Sequence, residues 1–212
     1  MSRYSLHVVI ESYWQIGSGR GGGLAIDSVV HKDADGLPEL PGRGLRGLVR
    51  DAAQRAEDWG HLPNNWTANW FGTDTRHYPK EPNEETRDDD PNRIDRHHSQ
   101  AGWLIFDNAV LPGALRNWLR VDETGLRDQF YRNLYATALH PERGTALPGS
   151  LRGMEVVVPL NLVAPLTLKP EARGTGEDFA EKLGLCLPLI RGLGIGRTRG
   201  LGRCRVTLEE KP

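Results

Sequence analysis

The sequence predicts an α+β fold of the ferredoxin-like kind, a β-α-β-β-α-β order in which an antiparallel sheet carries both helices on one face. Three observations predict it. Apolar residues alternate near both ends of the chain, two stretches repeat them at helical spacing, and strand-like composition returns between the two. The 212 residues are 38% hydrophobic and 26% charged, which suits one large domain or two small ones, burying roughly two-thirds of the unfolded surface. No apolar run approaches the ~18 residues of a membrane span. The first seven residues lack the apolar core of a secretion signal. Cys186 and Cys204 are too few for a disulfide scaffold or a four-thiolate zinc site. The expectation is a soluble, reduced, cytoplasmic protein with no membrane partner.

Residues 4–10 read as a strand with Leu6, Val8 and Ile10 on one face. A glycine-rich loop, 17–23, and the short apolar piece 24–26 lead to Asp27. After Pro41 a helix begins, because Leu45, Leu48, Val49, Ala52, Ala53 and Ala56 fall on one buried stripe. Arg43, Arg46 and Arg50 share another face of it. Residues 60–100 show no periodicity, and Pro63, Pro79, Pro82 and Pro91 with an acidic run predict a long mobile insertion. Strand composition returns over 101–110. Residues 112–153 are mixed, with a helix expected around 126–139 and a turn-rich stretch at 140–149. Residues 155–168 are strand-like, though Pro159 and Pro165 confine that strand to an edge or split it in two. Phe179, Leu183, Cys186, Leu187 and Ile190 make a second amphipathic helix, and Cys204, Val206 and Leu208 alternate as a closing strand. RNA-recognition modules use this plan because an open sheet face and its loops receive single-stranded bases.

The formal net charge of −1 conceals separated blocks. Of 27 basic residues, 22 are arginine, whose planar fork suits phosphates better than lysine's point charge. Between Lys182 and Glu209 there is no acid, while five arginines fall there; eight acids gather between Asp74 and Asp95. That separation points to an anionic partner at the basic blocks.

Three glycine clusters stand out. Gly17-x-Gly19-x-x-Gly22 and Gly42-x-Gly44-x-x-Gly47 satisfy the dinucleotide pattern formally. Neither follows a buried strand inside a parallel βαβ unit with an acid ~20 residues on, so a nicotinamide cofactor fits poorly. The third cluster, residues 192–203, interleaves glycine with Arg197, Thr198, Arg199 and Arg203. Closely spaced glycines, Gly194 and Gly196 among them, let backbone amides approach an anion while the arginines supply charge.

That third cluster resembles the C-terminal glycine-rich loop of the RAMP superfamily, the RNA-binding proteins of CRISPR systems. Leu40-Pro-Gly-Arg-Gly-Leu-Arg-Gly-Leu-Val-Arg50 resembles the family's proline-glycine turn into its first helix. Gly23-Leu-Ala-Ile-Asp-Ser-Val-Val-His-Lys-Asp33 resembles the loop carrying the target-cutting aspartate in the backbone subunit of type III effectors. The resemblance implies a single RAMP domain with core segments near 1–56, 101–111 and 154–212, an insertion at 57–100 and a thumb hairpin near 137–150. It also implies that copies of the chain stack along one guide CRISPR RNA with other effector subunits. Complementary target RNA would then be cut every six nucleotides.

Within that resemblance Asp27 is the expected catalytic residue. It would hold a divalent metal ion, magnesium or manganese, or fix geometry while the substrate's 2′-hydroxyl attacks in line. No organic cofactor is expected. Arg43, Arg46 and Arg50, at a helix N-terminus, are candidate phosphate contacts, with Arg20 a further one. The sequence departs from relatives in Trp14-Gln15-Ile16, where histidine is frequent, and in Arg46, where lysine is. Two alternatives stay open: an inert filament subunit, and a precursor-RNA endonuclease using His31 as base. His77, His97 and His98 read as a solvated loop rather than metal ligands. Trp59, Trp66 and Trp70 read equally as base-stacking residues, an aromatic plug or a contact with a neighbouring subunit.

Overall fold

The computed structural model describes residues 4–23, 26–73, 100–172 and 178–210. The elements, in chain order, are β1 (Tyr4–Ile10), α1 (Gly42–Asp58), α2 (Trp66–Phe71), β2 (Leu104–Phe106), α3 (Gly113–Arg120), β3 (Tyr131–Ala136), β4 (Arg152–Val157), β5 (Asn161–Leu168), α4 (Phe179–Cys186) and β6 (Cys204–Glu210). Four strands form one antiparallel sheet in the order β2-β5-β1-β6, while β3 and β4 pair separately as a hairpin. Without that hairpin, the chain is the expected ferredoxin-like β-α-β-β-α-β fold.

Register follows from which side chains must be dry. Leu6 lies opposite Ala164 of β5 and Leu208 of β6, and Val8 opposite Leu162 and Val206. Leu6, Val8, Leu162, Ala164 and Leu166 are all fully buried. A slip of one residue would turn that whole row to the other face. The stripe on α1 is buried as the periodicity predicts, at Leu45, Val49, Ala52, Ala53 and Ala56, with Leu48 half-buried at its margin. Helix α4 buries Phe179, Leu183 and Cys186, and Leu187 and Ile190 continue its face through a 3-10 turn. Burial pushes the thiols of Cys186 and Cys204 up to about 11, so both are protonated at neutral pH and act as core atoms.

The structure differs from the sequence reading in three places. The helix expected around 126–139 is a 3-10 turn, Leu126–Phe130, running straight into β3. Leu126, Phe130 and Leu134 fall at i, i+4 and i+8, which imitates a helix, yet residues 131–136 pair with 157–152. Helix α3 falls in the stretch read only as mixed. Of residues 101–110 only three form a strand, β2, its ladder with β5 reaching from Leu168 to Leu166. The stretch 155–168 does split in two at Pro159, as expected, into β4 and β5, and Pro165 stands inside an unbroken β5 opposite Ser5.

The insertion read as 57–100 is also partly core. Trp66, Trp70 and Phe71 of α2 are buried, and the Trp70 ring lies 4.3 Å from Phe179 and 5.3 Å from Trp103. Gly72 and Gly102 let the two ends of this segment touch, since a Cβ on Gly102 would stand 2.4 Å from the Phe71 carbonyl carbon. Trp66 and Trp70 are thus an aromatic plug over α4, while Trp59 is exposed. The acidic run 74–95 with His77, His97 and His98 lies outside the described residues.

Trp70→Ala should therefore destabilise the protein by about 3–5 kcal/mol, the cost of emptying a large aromatic site. Denaturant unfolding followed by circular dichroism measures it; a loss under about 1 kcal/mol would make the 66–71 segment peripheral.

Candidate nucleic-acid interface

After β1 the chain runs through residues 13–17 in an extended path that no regular sheet claims. Three other segments dock on it. The Trp14 amide donates to the Val157 carbonyl of β4 (3.1 Å) and the Val157 amide donates back (2.8 Å). The amides of Gly202 and Ile195, in the glycine loop, donate to the carbonyls of Tyr13 (2.7 Å) and Gln15 (2.9 Å). The His31 amide, beyond Asp27, donates to the Ile16 carbonyl (2.7 Å). Hairpin, glycine loop and Asp27 loop therefore share one backbone anchor.

Glycine is demanded at two points of this junction. Gly194 has φ +74° and a Cβ there would stand 2.2 Å from the Gln15 oxygen; Gly202 has φ +69° and its Cβ would stand 1.9 Å from the Leu193 oxygen. Either contact forbids any side chain. Between them Gly196 and Gly200, both left-handed, bracket a 3-10 turn at Arg197–Arg199 that presents Arg197, Thr198 and Arg199 to solvent. Arg197, Arg199 and Arg20 have no acidic partner among the described residues, so their guanidinium groups are uncommitted. Arg203 is held differently: it and Arg205 both pair with Glu11, at 3.3 and 2.8 Å.

Asp27 is exposed and sits against the root of the hairpin. Its amide donates to the Gly153 carbonyl (2.8 Å), and the Gly153 amide donates to its Oδ2 (2.7 Å). The next residues are strapped to β4 by one side chain. Glu155 Oε2 accepts the Val30 amide (3.0 Å), and its Oε1 meets Lys32 Nζ (2.9 Å). Lys32 also stands 3.8 Å over the Tyr131 ring, whose phenol donates to the Gly36 carbonyl (2.7 Å). Burial pushes the Tyr131 phenol far up, with Glu155 adding to the effect, so it stays a donor. Farther out, Asp33 and Asp35 bind α3 through Arg116 (2.7 and 3.5 Å), and Arg120 reaches Asp35 at 2.8 Å. The Arg120 hydrogen bond holds the Asp35 carboxyl below its usual range.

Comparison with known proteins places this arrangement. The sequence model of the RAMP superfamily matches residues 8–205. The chain belongs to the RAMP superfamily. No curated protein matches it. Among solved structures, a chain of the type III-B Cmr-beta bound to cognate target RNA aligns with a TM-score of 0.64 at 11% identity, covering 97% of this chain and 96% of that one. A chain of the apo state of Cmr-beta aligns over the same shares at 11% identity with a TM-score of 0.62. At such identity the likeness is one of fold.

Not every residue singled out in this RAMP sequence joins the junction. Asp27, Arg20, Gly194, Gly196, Arg197, Thr198, Arg199 and Arg203 lie on the loops that meet there. Arg43, Arg46 and Arg50 lie on α1. Arg43 is exposed, Arg46 donates to the Phe71 carbonyl at the end of α2, and Arg50 is half-buried. The first amide of that helix, on Gly42, donates to Asn108 Oδ1 (2.8 Å), so it is not open to an anion. The ring of His31 bonds Glu39 Oε1 at 2.9 Å. Among the described residues no group of three or more His, Cys, Asp or Glu is placed to hold a metal. The donor set at Asp27 is one carboxylate, which does not make a protein cage but fits an ion held chiefly by a nucleic acid.

Sequence reasoning missed Gly153, Glu155, Tyr131 and the α3 arginines. Their partners lie 81 to 126 residues away in the chain, so no local pattern announces them. Gly202→Ala should cost about 1–3 kcal/mol through backbone strain, more if the loop detaches. Thermal melting of the purified protein measures it, and an unchanged midpoint would refute the close approach described for this loop.

Proposed function

We propose that this RAMP protein is the guide-RNA-binding backbone subunit of a type III CRISPR ribonucleoprotein. Copies polymerise along one guide RNA beside other effector subunits, and complementary target RNA is cleaved at six-nucleotide intervals with Asp27 as catalytic residue. The observation that carries the reading is the junction itself. An exposed carboxylate and uncommitted arginines lie on loops fixed to one anchor, next to a hairpin with exposed Tyr135, Leu139, Leu147 and Leu151. The similar fold in an assembly bound to cognate target RNA supports it.

Each part has a physical task. Arg20, Arg197 and Arg199 grip phosphates, which fixes register without reading sequence and suits a protein that must accept any guide. The hairpin's apolar residues displace bases and leave a splayed nucleotide near Asp27. There the target's 2′-oxygen forms a bond to the adjacent phosphorus while the bond to the 5′-oxygen breaks. The 2′-hydroxyl loses its proton and the leaving 5′-oxygen gains one, giving a cyclic phosphate and a 5′-hydroxyl. With Oδ2 held by Gly153, Asp27 offers Oδ1 to that geometry. Magnesium or manganese, when bound, would offset the charge that builds on the phosphate. Asp27 would supply one ligand, and RNA and water the remainder.

Labelled complementary RNA given to the guide-loaded complex with magnesium should yield products six nucleotides apart, and Asp27→Ala should abolish them while target binding stays within about twofold. Binding without cutting in both forms would instead make Asp27 a brace between loop and hairpin in an inert filament subunit. Guide affinity should also fall steeply with salt, and Arg197→Ala or Arg199→Ala should each lower the log–log slope by about 0.7. A flat salt response would refute the phosphate grip.

A further inference from the structure

Gln15 is fully buried at the centre of the junction, and its side chain is polar. Nε2 donates to Ser28 Oγ (2.8 Å) and to the Ser28 carbonyl (3.2 Å). Its backbone carbonyl accepts the Ile195 amide (2.9 Å) and lies so close to Gly194 that no Cβ fits between them. One residue therefore touches the glycine loop with its main chain and the neighbour of Asp27 with its side chain.

The other end of that amide is informative. Gln15 Oε1 is buried with no hydrogen-bond partner among the described residues. An unsatisfied buried acceptor is costly, and a methionine or leucine of similar volume would fill the space without it. Packing alone does not account for glutamine here; the two bonds from Nε2 do. The amide cannot be turned around, because Oε1 would then face the Ser28 carbonyl. Ser28 also accepts the Glu155 amide at 2.9 Å, so its carbonyl is fixed from two sides. The peptide between Ser28 and Val29, one residue on from Asp27, thus has its plane set by Gln15 and β4 together.

We infer that Gln15 is a positioning residue that ties the Asp27 loop to the glycine loop, so that gripping the guide holds the Asp27 carboxylate in register for cleavage. This rests on the function proposed above and adds a residue to it. Gln15 touches no substrate. It acts through Ser28 on Asp27 and through its carbonyl on Ile195.

The test uses the guide-loaded complex and two readouts. Gln15→Met keeps the volume and removes the donor. Cleavage of labelled complementary RNA should slow at least tenfold while guide and target affinity stay within twofold. Hydrogen exchange in the peptide spanning residues 26–31 should quicken at least tenfold, with exchange in β1 unchanged. Ser28→Ala, at a half-buried position, should give a smaller change of the same kind, and the double variant no more than Gln15→Met alone. Unchanged exchange over 26–31 overturns the inference. So does a fall of binding, cleavage and melting temperature together, which marks a general structural role. If the wild-type complex does not cut, the proposed function fails, and the exchange measurement decides the tie by itself. If Gln15→Met does not assemble, Ser28→Ala decides on the same readout, with quickened exchange supporting the tie and unchanged exchange overturning it.

Discussion

Where the glycine loop crosses the carbonyls of Tyr13 and Gln15 it has no space for a side chain at Gly194 or Gly202, and the rest of the candidate interface depends on that crossing. Two short hydrogen bonds from Gly202 and Ile195 hold the glycine loop against them. They form only because Gly194 and Gly202 carry no Cβ and adopt left-handed backbone. The same strand of irregular backbone then accepts β4 on one flank and the Asp27 loop on another. A stretch of five residues without regular secondary structure thus sets the mutual position of three loops. The ferredoxin-like sheet beneath contributes rigidity, since β1 leads straight into this stretch from a fully buried register.

The hairpin and the Asp27 loop behave as one piece. Backbone bonds join Asp27 and Gly153, Ser28 and Glu155, and the Glu155 carboxylate holds Val30 and Lys32. Ion pairs from α3 to Asp33 and Asp35 extend the strap along the loop. A displacement of the hairpin is carried to the Asp27 loop through these contacts at Gly153 and Glu155.

Much of the framework was legible in the sequence because its elements bury one face each. The strand at 4–10, the stripe on α1, the α4 face and the closing strand all show it, and glycine spacing exposed the loop at 192–203. The hairpin was not legible. Both faces of β3 are half or fully exposed, so nothing forces its side chains to alternate, and Leu126, Phe130 and Leu134 fall by chance at helical spacing. Helix α2 was hidden because six residues are too few for a periodic signal, although Trp66, Trp70 and Phe71 share a buried face. Within the candidate site Asp27 was named from the resemblance, and the loop arginines from their interleaving with glycine. Gln15 was visible only as a departure from it, since its role depends on Ser28 and Gly194 arriving from opposite directions.

The place of β1 in the sheet has a consequence for synthesis. Its neighbours are β5, beginning at Asn161, and β6, beginning at Cys204. The first strand made is therefore the last to be covered on both sides. At about 5–20 residues per second, a nascent chain waits roughly 10–40 seconds before β6 emerges. During that interval Leu6, Val8 and Ile10 lack their β6 partners, and a chaperone that shields β1 would favour yield over aggregation. A truncated translation product ending before β6 would have no closed core, which makes such fragments ready substrates for proteolysis.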